Sequence, residues 1–162
     1  MSTREDFPVP RGLSYTDTPV LIISKADYDL IRWEAERSYP QECCGILLGL
    51  AAEGNRTVTL TLPCENVRMD APERHYSIDP QQVIAALKLA RSRGENIVGF
   101  YHSHPDHVAH YSVTDLTEAH WFDCSYLITG VVKGNAVETE SFLLIGSEEE
   151  KNFELEEIAI LT

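Results

Sequence analysis

The sequence predicts a mixed α/β (α+β) domain in which a strand-rich sheet packs against a few helices. Three observations predict it. Apolar runs of strand length outnumber helical ones, the two kinds follow one another in irregular order, and no internal repeat divides the chain. With 162 residues and 43% hydrophobic content, the chain has the size and composition to bury a core without disulfide staples.

Residues 1–18 are rich in proline, charge and small polar residues without periodicity, so they read as a flexible lead-in to a single domain over 19–162. Val20 to Ile23 is a short apolar run of strand type. Ser24, with Asp27 three residues on, marks the start of a helix over 25–38 that Tyr39-Pro40 stops. Its helical spacing fits either Ala26, Leu30 and Trp33 or Ile31 and Ala35 as the inner face. Cys43 to Leu50 reads as a buried strand, and the alternating run Thr57 to Leu62 joins it in a hairpin through Glu53-Gly54-Asn55.

Asn66 to Arg74 reads as a loop and His75 to Ile78 as a short strand. Asp79-Pro80-Gln81-Gln82 combines an acidic N-cap, proline at the first helical position and glutamine three residues after the cap. The helix it opens should bury Val83, Ile84, Leu87 and Ala90 and stop at Gly94. Ile97 to Tyr101 is a further strand that runs into His102-Ser103-His104-Pro105. A third helix is expected from Ser112 to near Phe122. Beyond it, Tyr126 to Val132 and Val137 to Ile145 form a second hairpin through Lys133-Gly134-Asn135. Phe153, Leu155, Ile158 and Ile160 mark a last strand.

A net charge of −13 with no basic cluster repels phosphate backbones, which argues against nucleic acid as the main partner. No stretch approaches the ~20 apolar residues of a membrane span, and the first residues lack the basic and apolar regions of a signal peptide. Cys43, Cys44, Cys64 and Cys124 contain no C-x-x-C pair and read as small buried residues in a reducing, cytoplasmic setting.

The chemistry concentrates at His102 and His104. Residues i and i+2 of a strand project from one face, so both imidazoles can converge on one point, and Pro105 places them at the end of the strand. Taken alone, this pair is as readily two surface histidines. Ser112-Val113-Thr114-Asp115 is likewise as readily a helix cap with an acid in its first turn. Together, two histidines from a strand end and one carboxylate from the next helix make a three-ligand set with a fourth position open to water, the layout of a catalytic zinc. The same set also describes the facial triad of nonhaem iron. An amide hydrolase further needs a proton carrier, and spacing alone does not select one among 26 acids.

The run His102-Ser103-His104, seven residues, Ser112, two residues, Asp115 resembles the H-x-H-x7-S-x2-D motif of the JAMM (MPN-plus) metalloproteases without a gap. Pro40-Gln41-Glu42-Cys43-Cys44-Gly45 is similar to that family's upstream glutamate segment, and Val98-Gly99-Phe100-Tyr101 leads into the histidines as it does there. The resemblance spans about Val20 to Ile145. It implies a cytidine-deaminase-like fold, with a curved mixed sheet flanked by helices. It further implies His102, His104 and Asp115 as ligands of one Zn2+, Glu42 as the acid/base acting on the attacking water, and Ser112 as a donor to the developing oxyanion. Cys43 beside Glu42 then needs no catalytic role, and His107 and His110 read as ordinary loop histidines.

The short chain is similar to the stand-alone prokaryotic branch, whose members cut peptide or isopeptide bonds after the tail of ubiquitin-like sulfur carriers. That resemblance implies such a carrier as partner, its extended tail lying along a sheet edge. The rival from another class is a catalytically silent MPN scaffold. A cytidine deaminase proper is disfavoured by the missing P-C-x-x-C, and a thermolysin-like enzyme by the missing H-E-x-x-H.

Overall fold

The computed structural model describes residues 18–162, so all but the last residue of the expected lead-in lies outside the described chain. In order, the elements are β1 (Val20–Ser24), α1 (Lys25–Ser38), β2 (Cys44–Ala52), β3 (Asn55–Cys64), α2 (Pro80–Ser92), β4 (Asn96–Pro105), α3 (Val113–Glu118), β5 (Ser125–Val132), β6 (Asn135–Gly146) and β7 (Lys151–Leu161). The content is mixed α/β, as expected.

Local sequence accounts for most of the boundaries. The Ser24 hydroxyl oxygen accepts the Asp27 amide proton at 3.0 Å and opens α1; the Asp79 carboxylate accepts that of Gln81 at 2.9 Å and opens α2. Both hairpins turn on two consecutive residues of positive φ, Glu53 (54°) with Gly54 (85°) and Lys133 (50°) with Gly134 (87°). That is the type I′ geometry matching the strand twist.

The sheet closes on itself, which the curved mixed sheet expected does not clearly match. Its strands pair in a closed ring in the order β1-β3-β2-β4-β5-β6-β7. The short β1 closes it by pairing in parallel with β3 on one side and β7 on the other. On either side of β1, buried Arg56 and Glu156 meet, with Nε to Oε2 at 2.9 Å, and the Ser141 hydroxyl donates to the other Glu156 oxygen at 2.7 Å. The closure is short: β1 pairs with β3 only at Asn55–Thr57 and with β7 only at Glu157–Leu161, so among the described residues 58–64 of β3 and 151–156 of β7 have no strand partner on that side.

Alternation along the strands separates two apolar clusters. Ile31 and Ala35 of α1 pack with Leu21, Leu47, Tyr101 and Leu127, whereas Ala86 and Ala90 of α2 pack with Ile46, Phe100 and Tyr126. Phe100 lies on the α2 face, so His102 and His104, at the same parity, lie on that face too. Of the two spacings offered for α1, Ile31 and Ala35 are the buried pair, and Trp33 is 54% exposed.

Three local expectations are corrected. α2 buries Ala90 as expected and packs Val83 against the core, but the rest of its inner face is Ala86, while Ile84 and Leu87 are 45% and 39% exposed. Residues 75–78 form no strand; the Ser77 amide donates to the Asn66 side chain and its carbonyl accepts from Val67, which ties them into the loop. α3 ends at Glu118, where the Lys151 ammonium takes the Thr117 and Ala119 carbonyls at 2.9 and 2.7 Å. Trp121 and Phe122 then pack as partly buried residues against the core. No helix among the described residues is long and apolar enough to cross a membrane.

Candidate metal centre

β4 continues through the histidines to Pro105, which places His102 and His104 at its C-terminal end, 2% and 8% exposed. Asp115 arrives from α3, where a complete capping box holds it. The Ser112 oxygen accepts the Asp115 amide proton at 3.0 Å, and the Asp115 carboxylate accepts that of Ser112 at 2.8 Å. Ser112 is the helix cap, and Asp115, at the third position of the same capping box, is thereby held against the histidines. The Asp115 carboxylate meets both imidazoles, Oδ1 to His102 Nε2 at 3.2 Å and Oδ2 to His104 Nε2 at 3.1 Å. The two Nε2 atoms are 3.3 Å apart. One ligand atom from each of the three residues lies within 4.8 Å of the others, and among the described residues this is the one such group.

The donor set fits a cation. The Val108 carbonyl, 3.0 Å from His104 Nδ1, can only accept, so Nδ1 carries the proton and the Nε2 lone pair of the neutral ring points inward. There it faces a carboxylate oxygen and a second imidazole nitrogen. These are electron-rich atoms that hold together only around positive charge, a proton or a metal ion. In keeping with this, burial favours neutral His104, yet the Asp115 carboxylate beside it pushes its pKa up. Burial alone would raise the pKa of Asp115; the His102 and His104 imidazoles and the Ser112 amide hold it well below the usual carboxylate range. His102 is braced differently. Tyr76 stacks on its ring at 4.4 Å between centroids, and its Nδ1 is buried without a hydrogen-bond partner.

Glu42 stands two residues before Cys44, the register partner of His102 across β2 and β4. It is 4% exposed, and its Oε1 has no hydrogen-bond partner. Burial pushes its carboxyl up to about 7, against the pull of His102 and His104, which identifies the histidine cluster as its electrostatic neighbourhood. A carboxyl that titrates near neutrality is suited to taking and returning a proton. The five residues expected at the site thus lie in one region. His107 and His110 lie exposed in the loop after β4, outside the ligand group, and His110 stacks on Tyr111 at 4.4 Å.

The family described as prokaryotic homologs of the JAB domain matches residues 24–145, a stretch that includes Glu42, both histidines, Ser112 and Asp115. The chain belongs to this family. Among relatives of this JAB-domain chain, the desampylase of Haloferax volcanii is 40% identical over 89 residues, which cover 55% of this chain and 62% of the relative. A probable TtuB-protein conjugate cleaving protease of Thermus thermophilus is 31% identical over 102 residues, covering 63% and 65%. The matched stretches therefore span somewhat less than two thirds of either relative. A solution structure of a Desulfitobacterium hafniense protein is similar at a TM-score of 0.71, with 29% identity over 86% of this chain and 92% of that one.

Three residues that the JAB-domain chain places at the site carry no sequence signal of their own. Ser103, fully buried between the histidines, accepts the Cys43 amide proton at 2.8 Å. Asn66 bonds the Glu42 carbonyl at 3.1 Å, and Tyr76 covers His102. Asn66 falls in a segment read as a loop, Tyr76 in one read as a short strand, and Ser103 reads only as the spacer of the histidine pair.

Proposed function

We propose that this chain is a zinc-dependent peptidase or isopeptidase that cleaves the bond after the C-terminal tail of a ubiquitin-like sulfur-carrier protein, with residues 19–162 acting as one domain in the cytoplasm. The observation that carries this reading is the convergence of His102, His104 and Asp115 within 4.8 Å, beside a buried Glu42 whose Oε1 is unpartnered. The names of two relatives, a desampylase and a conjugate cleaving protease, support a protein conjugate as substrate. Four free cysteines support a reducing compartment.

In this reading His102, His104 and Asp115 would hold the ion. A bound divalent ion supplies Lewis acidity towards the scissile carbonyl and lowers the pKa of water towards ~7. Glu42 removes the proton of the attacking water at its carboxylate and returns it to the leaving nitrogen, which turns the amine into a competent leaving group. The Ser112 oxygen accepts from the Asp115 amide, so its hydroxyl proton is free to donate to the carbonyl oxygen as negative charge develops there. The Val108 carbonyl holds His104 in the tautomer that presents Nε2.

The test is incubation of zinc-loaded protein with sulfur carriers extended at the C-terminus, read by intact mass. Loss of the extension, abolished in a Glu42→Gln variant that still binds zinc, is the expected result. Unchanged mass across a panel of carriers and conjugates, with zinc bound, would leave a silent scaffold as the better account.

A further inference from the structure

Glu42 lies outside every strand and helix, in the bend before β2, so no strand ladder fixes its main chain. Its position is set from the loop over residues 65–79. The Glu42 amide donates to the Pro72 carbonyl at 2.9 Å, and the Glu42 carbonyl accepts from Asn66 Nδ2 at 3.1 Å. The same Nδ2 donates to the His75 carbonyl at 3.0 Å, with the Pro72 carbonyl at 3.5 Å. On the other side of the side-chain amide, Asn66 Oδ1 accepts from the Arg68 and Ser77 amides at 3.0 and 3.1 Å. Every donor and acceptor of that amide is engaged, the condition under which a polar network specifies one conformation.

The loop reaches the other half of the site as well. Tyr76 leaves it to stack on His102, with ring planes 22° apart, and Arg68 Nη1 lies 3.5 Å from Glu118 of α3, the helix that carries Asp115. With Oε1 unpartnered, Glu42 has no side-chain bond on that oxygen to orient it, so the main chain must carry its placement.

We propose that Asn66 is a positioning residue, whose side-chain amide locks Glu42 and Tyr76 to one rigid loop and so sets the acid/base against the histidine ligands. The 65–79 loop is then a fixed wall of the site and not a lid. This rests on the acid/base reading of Glu42 given above.

Asn66→Asp tests it. The variant keeps the Oδ1 acceptor and the size of the side chain, but turns a carboxylate oxygen on the Glu42 and His75 carbonyls in place of their donor. Asn66→Gln, which keeps both groups displaced by one methylene, is the second variant. Three quantities are measured in each: hydrogen exchange at the Glu42 and Cys43 amides, zinc affinity by calorimetry, and steady-state kinetics on a tail-extended carrier. A misplacement of about 1 Å in a catalytic group costs on the order of a hundredfold, so kcat should fall about 10- to 100-fold with KM and zinc affinity within about threefold. Exchange at Glu42 should accelerate about tenfold or more as its anchoring loosens.

Unchanged Glu42 exchange in a folded Asn66→Asp protein would overturn the proposal. So would a loss of kcat matched by equal losses of zinc affinity and thermal stability, or failure of both variants to fold, since either makes Asn66 a stability residue only. If the wild-type protein cleaves no carrier, the functional reading fails, and the exchange and zinc measurements still decide the role of Asn66.

Discussion

The Ser103 hydroxyl oxygen accepts the Cys43 amide proton at 2.8 Å, and the Ser103 amide returns a bond to the Cys43 carbonyl at 3.3 Å. The residue between the two histidines is thereby fastened to the residue after Glu42. The pair joins the strand that carries His102 and His104 to the segment that carries Glu42. Ser103→Ala leaves a buried amide without its acceptor, which costs about 1–3 kcal/mol. Urea denaturation should show a loss of that size, and kcat should fall with it. A variant as stable as wild type would mean that the Cys43 amide finds another partner.

Glu42 makes stability depend on pH. Its folded pKa is raised from 4.5 to about 7 by burial, so the folded state holds a proton that the unfolded state releases. The corresponding stability is present below 4.5 and is lost as pH rises through about 7. In metal-free protein, Glu42→Gln removes this loss and should be more stable than wild type at pH ~8, by an amount on the order of 3 kcal/mol. The advantage should vanish near pH ~4. Thermal melts of the two proteins across that range, both without metal, supply the comparison; parallel curves would show that Glu42 titrates as it does in water.

The buried Arg56–Glu156 pair links β3 and β7, the two strands that flank β1. Arg56→Ala strands the Glu156 carboxylate in the interior and should destabilise the protein by about 3–5 kcal/mol, whereas Arg56→Met with Glu156→Leu should cost much less. If the single and double variants unfold at the same denaturant concentration, the pair does not act as a unit.

Burial pushes the Cys43 thiol up to about 12, so it stays protonated and enclosed at neutral pH. Iodoacetamide should leave Cys43 of the native protein unmodified, with activity intact, while the unfolded chain reacts at all four cysteines. Rapid alkylation of Cys43 together with loss of cleavage would point instead to a cysteine nucleophile.

Much of the site is legible in the sequence because its signals are local. The strand period puts His102 and His104 on one face, and the same capping box that starts α3 fixes Asp115. What is not legible is set over distance. The Asn66–Glu42 and Ser103–Cys43 bonds join residues 24 and 60 positions apart, and nothing in either neighbourhood announces the partner. The closed ring depends on two parallel pairings of the five-residue β1, whose apolar run is the same whether its edges are free or paired. In α2 the apolar period marks Ile84 and Leu87 as readily as Ala86, and only the close approach of helix to sheet selects the alanines.

The metal itself supplies the most direct test of the site. Protein purified without added metal, then measured by elemental analysis and zinc calorimetry, should bind one zinc ion per chain. Glu42→Gln should keep that ion and His102→Ala with Asp115→Ala should lose it. Stoichiometric iron in place of zinc, or zinc retained by the double variant, would contradict the account.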